Sequence, residues 1–283
     1  MWWPMLQRLL EAVRPSRVPL VEPPDRIAGT RIHSMEIPSR YLRVTREVQV
    51  WTPPGYESDP GRRYPVLYLH DGQNLFFPEN AFAGQIWNAA SIAEDLVNAG
   101  EVEPFLIAGL AHGAERRIDE YTPSRDRRRA RGGLASRHLS FLFEEVMPAV
   151  AGHFRVDESR ERTALGGSSL GALISLHAML SAPHRIGSVI AMSPSVWWDG
   201  RRVLRTIAAS RIPAFPRVWT DIGTEEGAEA VDGARALRDA LNDRGWQPGR
   251  SLHYAEYAGA GHTESAWRAR LPEALRFVFG MSS

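Results

Sequence analysis

The sequence of 283 residues contains no cysteine, and this absence removes disulfides, thiolate zinc sites and cysteine nucleophiles together. It contains no lysine either, so all 34 basic residues are arginine. A Walker A loop, a Schiff-base lysine and a Ser-Lys dyad are therefore excluded. An excess of charge of one sign is also lacking, because 34 basic and 33 acidic residues give a net charge of +1. No global field favours nucleic acid, and we expect no nucleic-acid partner.

Long apolar runs are missing as well, since no stretch approaches the roughly 20 residues of a membrane span. We expect no integral membrane segment. At the start of the chain the apolar residues come first and are interrupted by Gln7, Arg8 and Glu11, whereas a secretory signal has a charged start and an unbroken apolar core. We interpret residues 1–28 as an arm and proline-rich linker and residues 29–283 as one domain, and we expect a cytoplasmic protein.

Short apolar runs without alternation recur along the chain, and such runs are typical of strands buried on both faces of a parallel sheet. They are YPVLYL (64–69), PFLIAGL (104–110), RTALGG (162–167), SVIAMS (188–193) and RVWTDIG (217–223). Helix-like segments lie between or after them, at 85–99, 136–151, 170–182, 226–243 and 265–279. Segments 30–37 and 46–52 precede them, and the alternation in 46–52 indicates an antiparallel pair. The order predicts an α/β fold with a mostly parallel, doubly wound sheet and an antiparallel N-terminal edge.

The segment Gly167-Ser168-Ser169-Leu170-Gly171 fits the pattern G-x-S-x-G. A short apolar run precedes it and a helix-like run follows it, which is the context of a nucleophile elbow. In such an elbow a strand turns sharply into a helix and holds the serine at the strained apex. Glycines flank the turn because a Cβ there would obstruct the close approach of strand and helix. The alternative is a chance turn, but the context predicts that Ser169 is a catalytic nucleophile.

A nucleophilic serine needs a base, and in this architecture the partners follow in the order serine, acid, histidine. His262 follows the strand-like run SLHYAEY and precedes the last helix-like segment, so we predict that it is the base. The acid should lie on a loop after an intervening strand. In DIGTEEG, Asp221 falls within the strand itself, and we prefer Glu226 over its neighbour Glu225.

The oxyanion of the reaction needs two backbone donors. One predicted donor is the N–H of Leu170, directly after the nucleophile, and the other is the N–H of Gln73 in the loop after YPVLYL, where Gly72 permits a tight turn. The sequence contains neither an HExxH motif nor a dense set of metal ligands. We therefore expect no metal and no cofactor.

Together these motifs resemble the putative esterase family of α/β hydrolases, which includes esterase D, feruloyl esterases and enterochelin esterases. The resemblance covers about residues 45–280 and is carried by YPVLYLHDGQNLF, RRIDEYTP, GGSSLGALISLHA, SPSVWWDG, DIGTEEG and GAGHTESAW. It implies the α/β-hydrolase fold, with the acid at Glu226 and the histidine at His262. It also implies a serine ester hydrolase that acts through an acyl-enzyme on a small-molecule ester.

Aromatic side chains near the predicted loops suggest a substrate wall made of Trp197, Trp198 and Tyr121, and the alternative is that they belong to the core. Such a wall suits an aryl or siderophore-type ester. We expect one tryptophan of each kind, with Trp198 favoured as the contact. The arginines within 125–131 either attract an anionic substrate or form a solvated loop.

Two other functions stay open at this point. An acyltransferase would use the same acyl-enzyme, and a non-catalytic binding module would use the same scaffold. The oligomeric state is left open.

Overall fold

The computed structural model describes residues 20–21, 31–212 and 216–281. Apart from residues 20–21, the predicted arm of residues 1–28 lies outside this part. The strands in chain order are β1 Leu20–Val21, β2 Arg31–Ser39, β3 Val44–Thr52, β4 Val66–His70, β5 Leu106–Leu110, β6 Arg125–Asp126, β7 Arg131–Gly132, β8 Thr163–Ser168, β9 Ser188–Met192, β10 Arg217–Gly223 and β11 Leu252–Tyr257.

Nine of these strands form one sheet in the order β1-β2-β3-β5-β4-β8-β9-β10-β11. The pairs from β5 through β11 are parallel, whereas β1, β2 and β3 join the sheet by antiparallel pairing. The predicted mostly parallel sheet with an antiparallel N-terminal edge is therefore confirmed. The remaining strands, β6 and β7, make a separate two-stranded hairpin.

The helices are α1 Ala89–Asn98, α2 Arg117–Glu120, α3 Ala135–Phe141, α4 Met147–His153, α5 Leu170–Ser181, α6 Trp198–Ala209, α7 Ala228–Asp243 and α8 Glu264–Phe279. The helix predicted over 136–151 is divided, since a π-helical turn at Leu142–Val146 joins α3 to α4. Pro148 opens α4, and a proline has no N–H to continue the regular ladder. Helix α6 was not predicted, because its first turn contains the pair Asp199-Gly200, which is typical of a turn. In the structure Asp199, Gly200 and Arg201 indeed have left-handed backbone.

Helices cover both faces of the sheet, because neighbouring residues on a strand point to opposite sides. Val66 and Tyr68 belong to one apolar cluster together with helix α5. Leu67 and Leu69 belong to the other cluster together with helices α1 and α8. Helix α5 packs against β8 and β9 and is buried over most of its length, which places its first turn at the centre of the sheet.

None of the helices that the structure describes is both long enough and apolar enough to cross a membrane.

The start of β9 depends on the absence of a side chain at residue 187. A Cβ added to Gly187 would lie 2.5 Å from the carbonyl oxygen of Arg160 and 2.9 Å from Glu161 Cα. We expect Gly187→Ala to lower the free energy of unfolding by about 1–3 kcal/mol, as overpacking does elsewhere.

The matched control is Gly152→Ala in α4, where an added methyl meets no neighbour within 4 Å. This substitution should raise the free energy of unfolding by about 0.5–1 kcal/mol through helix propensity. Urea titrations of both variants measure the difference. If the two substitutions had equal effects, the backbone of Arg160 and Glu161 would not be close enough to Gly187 to exclude a methyl group.

Candidate active site

The turn between β8 and α5 has the backbone of a nucleophile elbow. Ser169 adopts φ 56° and ψ −119°, a conformation that is strained for a residue with a side chain. A Cβ on Gly167 would lie 2.9 Å from the carbonyl carbon of Gly171. Strand and helix therefore approach so closely that only glycine fits at Gly167, and Ser169 is held at the apex between them.

The hydroxyl of Ser169 is partly exposed and lies 3.2 Å from Ser195 Oγ. The Ser195 N–H donates to the Ser169 carbonyl at 3.1 Å, and the Ser169 N–H donates to the carbonyl of Met192 at 3.0 Å. The end of β9 and the segment after it therefore hold the backbone of the elbow by hydrogen bonds. Among the described residues the hydroxyl partner of Ser169 is Ser195, and no hydrogen bond joins Ser169 to His262.

His262 and Glu226 are in direct contact, with His262 Nδ1 at 2.6 Å from Glu226 Oε2. The side chain of Glu226 is 1% exposed and that of His262 is 46% exposed. The neighbouring Glu225 is exposed and contributes its backbone N–H to the carbonyl of Ala260. The structure therefore brings Glu226, and not Glu225, against the histidine.

The second oxygen of Glu226 is held from inside the protein. Ser193 Oγ donates to Glu226 Oε1 at 2.6 Å, and the Gly223 N–H donates to the same oxygen at 2.8 Å. Burial alone would raise the pKa of Glu226, but the hydrogen bonds from His262, Ser193 and Gly223 outweigh it and hold that pKa below its ordinary value. Glu226 is thus a carboxylate at neutral pH, oriented on both sides.

A buried ion pair lies behind the carboxylate and was not found from the sequence. Arg270 Nη1 donates to Asp221 Oδ1 at 2.8 Å, and Arg270 Nη2 lies 3.5 Å from Glu226 Oε1. Burial raises the pKa of Asp221 to about 6, although Arg270 opposes the shift. The sequence did contain a signal that Arg270 is buried, since this residue lies between Trp267 and Leu271 on the apolar side of the last helix.

The loop after β4 passes close to the start of α5. A Cβ on Gly72 would lie 2.3 Å from the carbonyl carbon of Gly109, so the turn requires glycine. Asp71 pairs with Arg117 through two hydrogen bonds of 2.7 and 2.8 Å. A Cβ on Gly171 would lie 3.1 Å from Asp71 Oδ2. The loop and the elbow are therefore adjacent.

Each of these two segments holds one of the predicted oxyanion donors. Leu170 is the first residue of α5, a position where the backbone N–H has no acceptor within its own helix. Gln73 lies in the 3₁₀ turn Gly72–Asn74, and its side-chain Oε1 accepts the His112 N–H at 3.2 Å. The pairing of the Leu170 and Gln73 N–H groups as an oxyanion hole stays a prediction.

Glu264 connects the histidine loop to the loop after β4. Its carboxylate accepts from Asn74 Nδ2 at 3.0 Å and from Trp87 Nε1. Burial raises the pKa of Glu264 to about 7, and nearby Asp71 adds to the shift while Trp87, Arg117 and His262 oppose it. This residue follows His262 by two positions, so the link constrains where the histidine loop lies.

Tyr121 does not line the site as predicted, because its side chain is fully buried. It packs against His70 and His138, with ring centroids 5.1 and 4.9 Å away, and its hydroxyl accepts the Asp71 N–H at 3.3 Å. The prediction of a direct substrate contact is wrong in this conformation. Tyr121 instead lies in the core and contacts the loop after β4 through the Asp71 N–H.

The two tryptophans have opposite roles to those expected. Trp198 is 2% exposed, and its Nε1 donates to the carbonyl of Ser124 at 2.9 Å. Trp197 is half-buried and has the Arg129 guanidinium 4.7 Å from its ring centroid. Trp198 is therefore the core residue, and Trp197 is the one available to a ligand.

No group of three or more histidine, aspartate or glutamate side chains within residues 20–21, 31–212 and 216–281 is arranged to hold a metal ion.

Trp198→Ala should lower the free energy of unfolding by about 3–5 kcal/mol, since it empties a large buried volume. Trp197→Ala should lower it by less, about 1–2 kcal/mol, because the ring is half-buried and contacts Trp198 on one side and the Arg129 guanidinium on another. Chemical denaturation of the two variants compares them directly. A larger loss for Trp197→Ala would reverse the assignment.

Glu264→Gln tests the buried carboxylate through the pH dependence of stability. A carboxyl whose pKa is raised on folding contributes stability that is present below its unfolded pKa of about 4.3 and is lost as pH rises through the folded value. The native protein should therefore lose stability relative to Glu264→Gln between about pH 4.5 and pH 7, by on the order of 1–3 kcal/mol. Asp221 is present in both proteins and cancels in the difference. Parallel stability curves would contradict the burial of a titrating Glu264.

The chain is similar in sequence to known esterases. The sequence model of the family described as putative esterase matches residues 39–278. Ferri-bacillibactin esterase BesA of Bacillus subtilis is 23% identical over 283 residues, covering 90% of this chain and 94% of that protein. Siderophore triacetylfusarinine C esterase of Aspergillus fumigatus is 32% identical over 147 residues, 51% of this chain and 49% of that protein. This match thus spans about half the length of the fungal esterase.

Among solved structures, the BES protein of Bacillus cereus superposes with a TM-score of 0.70 and 23% identity, covering 92% of this chain and 99% of that one. This likeness concerns the fold. The family match extends over most of the chain, from the antiparallel edge of the sheet to the last helix. The chain therefore belongs to the putative esterase family and has the α/β-hydrolase fold.

Proposed function

We propose that this protein is a serine carboxylic ester hydrolase in which Ser169 is the nucleophile, His262 the base and Glu226 the acid that orients the base. The observation that carries the proposal is the 2.6 Å contact between His262 Nδ1 and Glu226 Oε2. Because Nδ1 is engaged in this way, the other ring nitrogen is left to exchange a proton with the serine.

In the proposed first step, the Ser169 hydroxyl turns from Ser195 towards His262 Nε2 and gives up its proton as Oγ bonds to the ester carbonyl carbon. The positive charge that forms on His262 is balanced by Glu226, which burial and hydrogen bonds keep ionised. We propose that the backbone N–H groups of Leu170 and Gln73 stabilise the negative charge that develops on the carbonyl oxygen.

The leaving alcohol then takes the proton from His262, and an acyl group stays on Ser169. Water attacks this acyl-enzyme with His262 as base, and the carboxylic acid is released with the serine restored. The imidazole of His262 therefore carries each proton from one oxygen atom to the next throughout the cycle.

The substrate class that we propose is a siderophore-type ester. From the sequence we also propose a cytoplasmic location. The names of the ferri-bacillibactin and triacetylfusarinine C esterases support the substrate class. The half-buried Trp197 offers an apolar surface of the kind that an aryl group contacts. Mass spectrometry of products from 4-nitrophenyl esters and catecholate siderophore lactones tests it, and hydrolysis of simple esters alone would contradict it.

Ser169→Ala should abolish ester hydrolysis without loss of thermal stability, since the substitution removes only the attacking oxygen. A fluorophosphonate probe should label Ser169 in the native protein, as peptide mass spectrometry can locate. Ser168→Ala is the matched control and should keep the labelling. Labelling at Ser168 instead would overturn the proposed nucleophile.

Glu226→Gln should lower kcat by about 10²–10⁴-fold, because the neutral amide cannot stabilise a charged imidazole and favours the wrong tautomer. Glu225→Gln is the control of equal size one residue away, and its kcat should change by less than about 3-fold. Steady-state kinetics on one activated ester measures both. A larger effect of Glu225→Gln would transfer the role of the acid to that residue.

A further inference from the structure

A cavity of about 600 Å³ lies where the β6–β7 hairpin faces the start of α6. Four arginines and one tryptophan contribute to its lining, namely Arg127, Arg128, Arg129, Arg201 and Trp197. The hairpin is ordered by Asp126, whose buried carboxylate accepts the backbone N–H groups of Arg128 and Arg129. The arginines are therefore presented by a defined turn.

The cavity has unbalanced positive charge. Its acidic side chains are Asp126, Asp199 and Glu229, but the first is paired with Arg129 at 2.8 Å and the second lies 3.7 Å from Arg202 outside the lining.

Within the part of the chain that the structure describes, Arg127, Arg128 and Arg201 form no ion pair, and Glu229 is the one acidic group of the lining left to face them. Guanidinium groups that are not paired internally bind carboxylates and other anionic oxygens through charge-assisted hydrogen bonds.

Two segments of chain connect the lining of the cavity to residues of the proposed active site. Trp197 follows Ser195 by two residues, and Ser195 Oγ is the group 3.2 Å from the Ser169 hydroxyl. Glu229 follows Glu226 by three residues in the first turn of α7. A ligand whose ester lies at Ser169 and that extends past Ser195 would reach Trp197.

From this arrangement we infer that the arginine cavity, which consists of Arg127, Arg128, Arg129, Arg201 and Trp197, binds the non-reacting part of the ester, and that this part carries anionic oxygen groups. The inference rests on the proposed function for the position of the scissile bond. Trp197, with Arg129 above its ring, forms a flat wall that suits a planar group next to the charge.

The test compares matched esters that differ in one charge. One pair is mono(4-nitrophenyl) succinate and its methyl ester, with the charge on the acyl side. The other pair is 4-acetoxybenzoate and its methyl ester, with the charge on the leaving group. For at least one pair, the ratio of kcat/KM for the anionic ester to kcat/KM for the neutral ester should fall at least about 10-fold in Arg127→Gln/Arg128→Gln/Arg201→Gln. Added salt should lower the same ratio in the native protein.

The control variant neutralises three exposed arginines outside the cavity, Arg43→Gln/Arg137→Gln/Arg250→Gln, so its net charge changes equally. Its ratio should stay within about 2-fold of the native value, and thermal melts check that both triple variants are folded. If the two triple variants change the ratio equally, or neither changes it, the cavity is not an anion site.

Binding to the Ser169→Ala protein separates this inference from the proposed function. Calorimetry should show that the anionic ester of the preferred pair binds at least about 10-fold more weakly once Arg127, Arg128 and Arg201 are neutralised in the same background. If the native protein hydrolyses none of the esters but this loss is observed, the proposed function fails and the cavity stands. If the Ser169→Ala protein binds neither anionic ester, the inference is overturned even where hydrolysis of neutral esters is normal.

Discussion

The carboxylate of Glu226 is the group on which the site depends, because it is a charge with 1% of its side chain exposed. A buried charge is tolerated only when hydrogen bonds and an opposite charge compensate it. One oxygen is used by His262, and the other by Ser193 and Gly223. Arg270 and Asp221 fill the space behind it. A histidine fixed in this way can present only one ring nitrogen to the elbow serine.

The parallel sheet explains how residues far apart in sequence reach one place. The carboxyl ends of parallel strands meet at the same edge, where ligands of such sheets bind. The loops after β4, β8, β9, β10 and β11 supply in turn the candidate oxyanion loop, Ser169, Ser195, Glu226 and His262. Glu264 then joins the last of these loops to the first through Asn74. The site is therefore a closed ring of loops on a rigid scaffold.

The sequence was informative where the physical requirement is local. The elbow at Ser169 needs small residues within five positions, so a short motif suffices to predict its backbone. Burial depends on distant parts of the chain, and so the sequence did not distinguish Trp198 from its neighbour. The indole of Trp198 contacts Ser124 and Gly132, which lie more than 60 positions away. The position of Arg270 on the apolar side of the last helix indicates a buried arginine, but its partner Asp221 lies 49 positions away, and no local pattern identifies that partner.

The most direct test of the account is a crystal structure of the protein after reaction with a phosphonate ester, which imitates the tetrahedral intermediate. The account predicts a covalent bond from Ser169 Oγ to phosphorus and one phosphonyl oxygen within about 3 Å of both the Leu170 and Gln73 nitrogens. His262 should keep Nδ1 on Glu226 and direct Nε2 to the adduct. An adduct on another residue, or a phosphonyl oxygen that contacts neither backbone nitrogen, would contradict it.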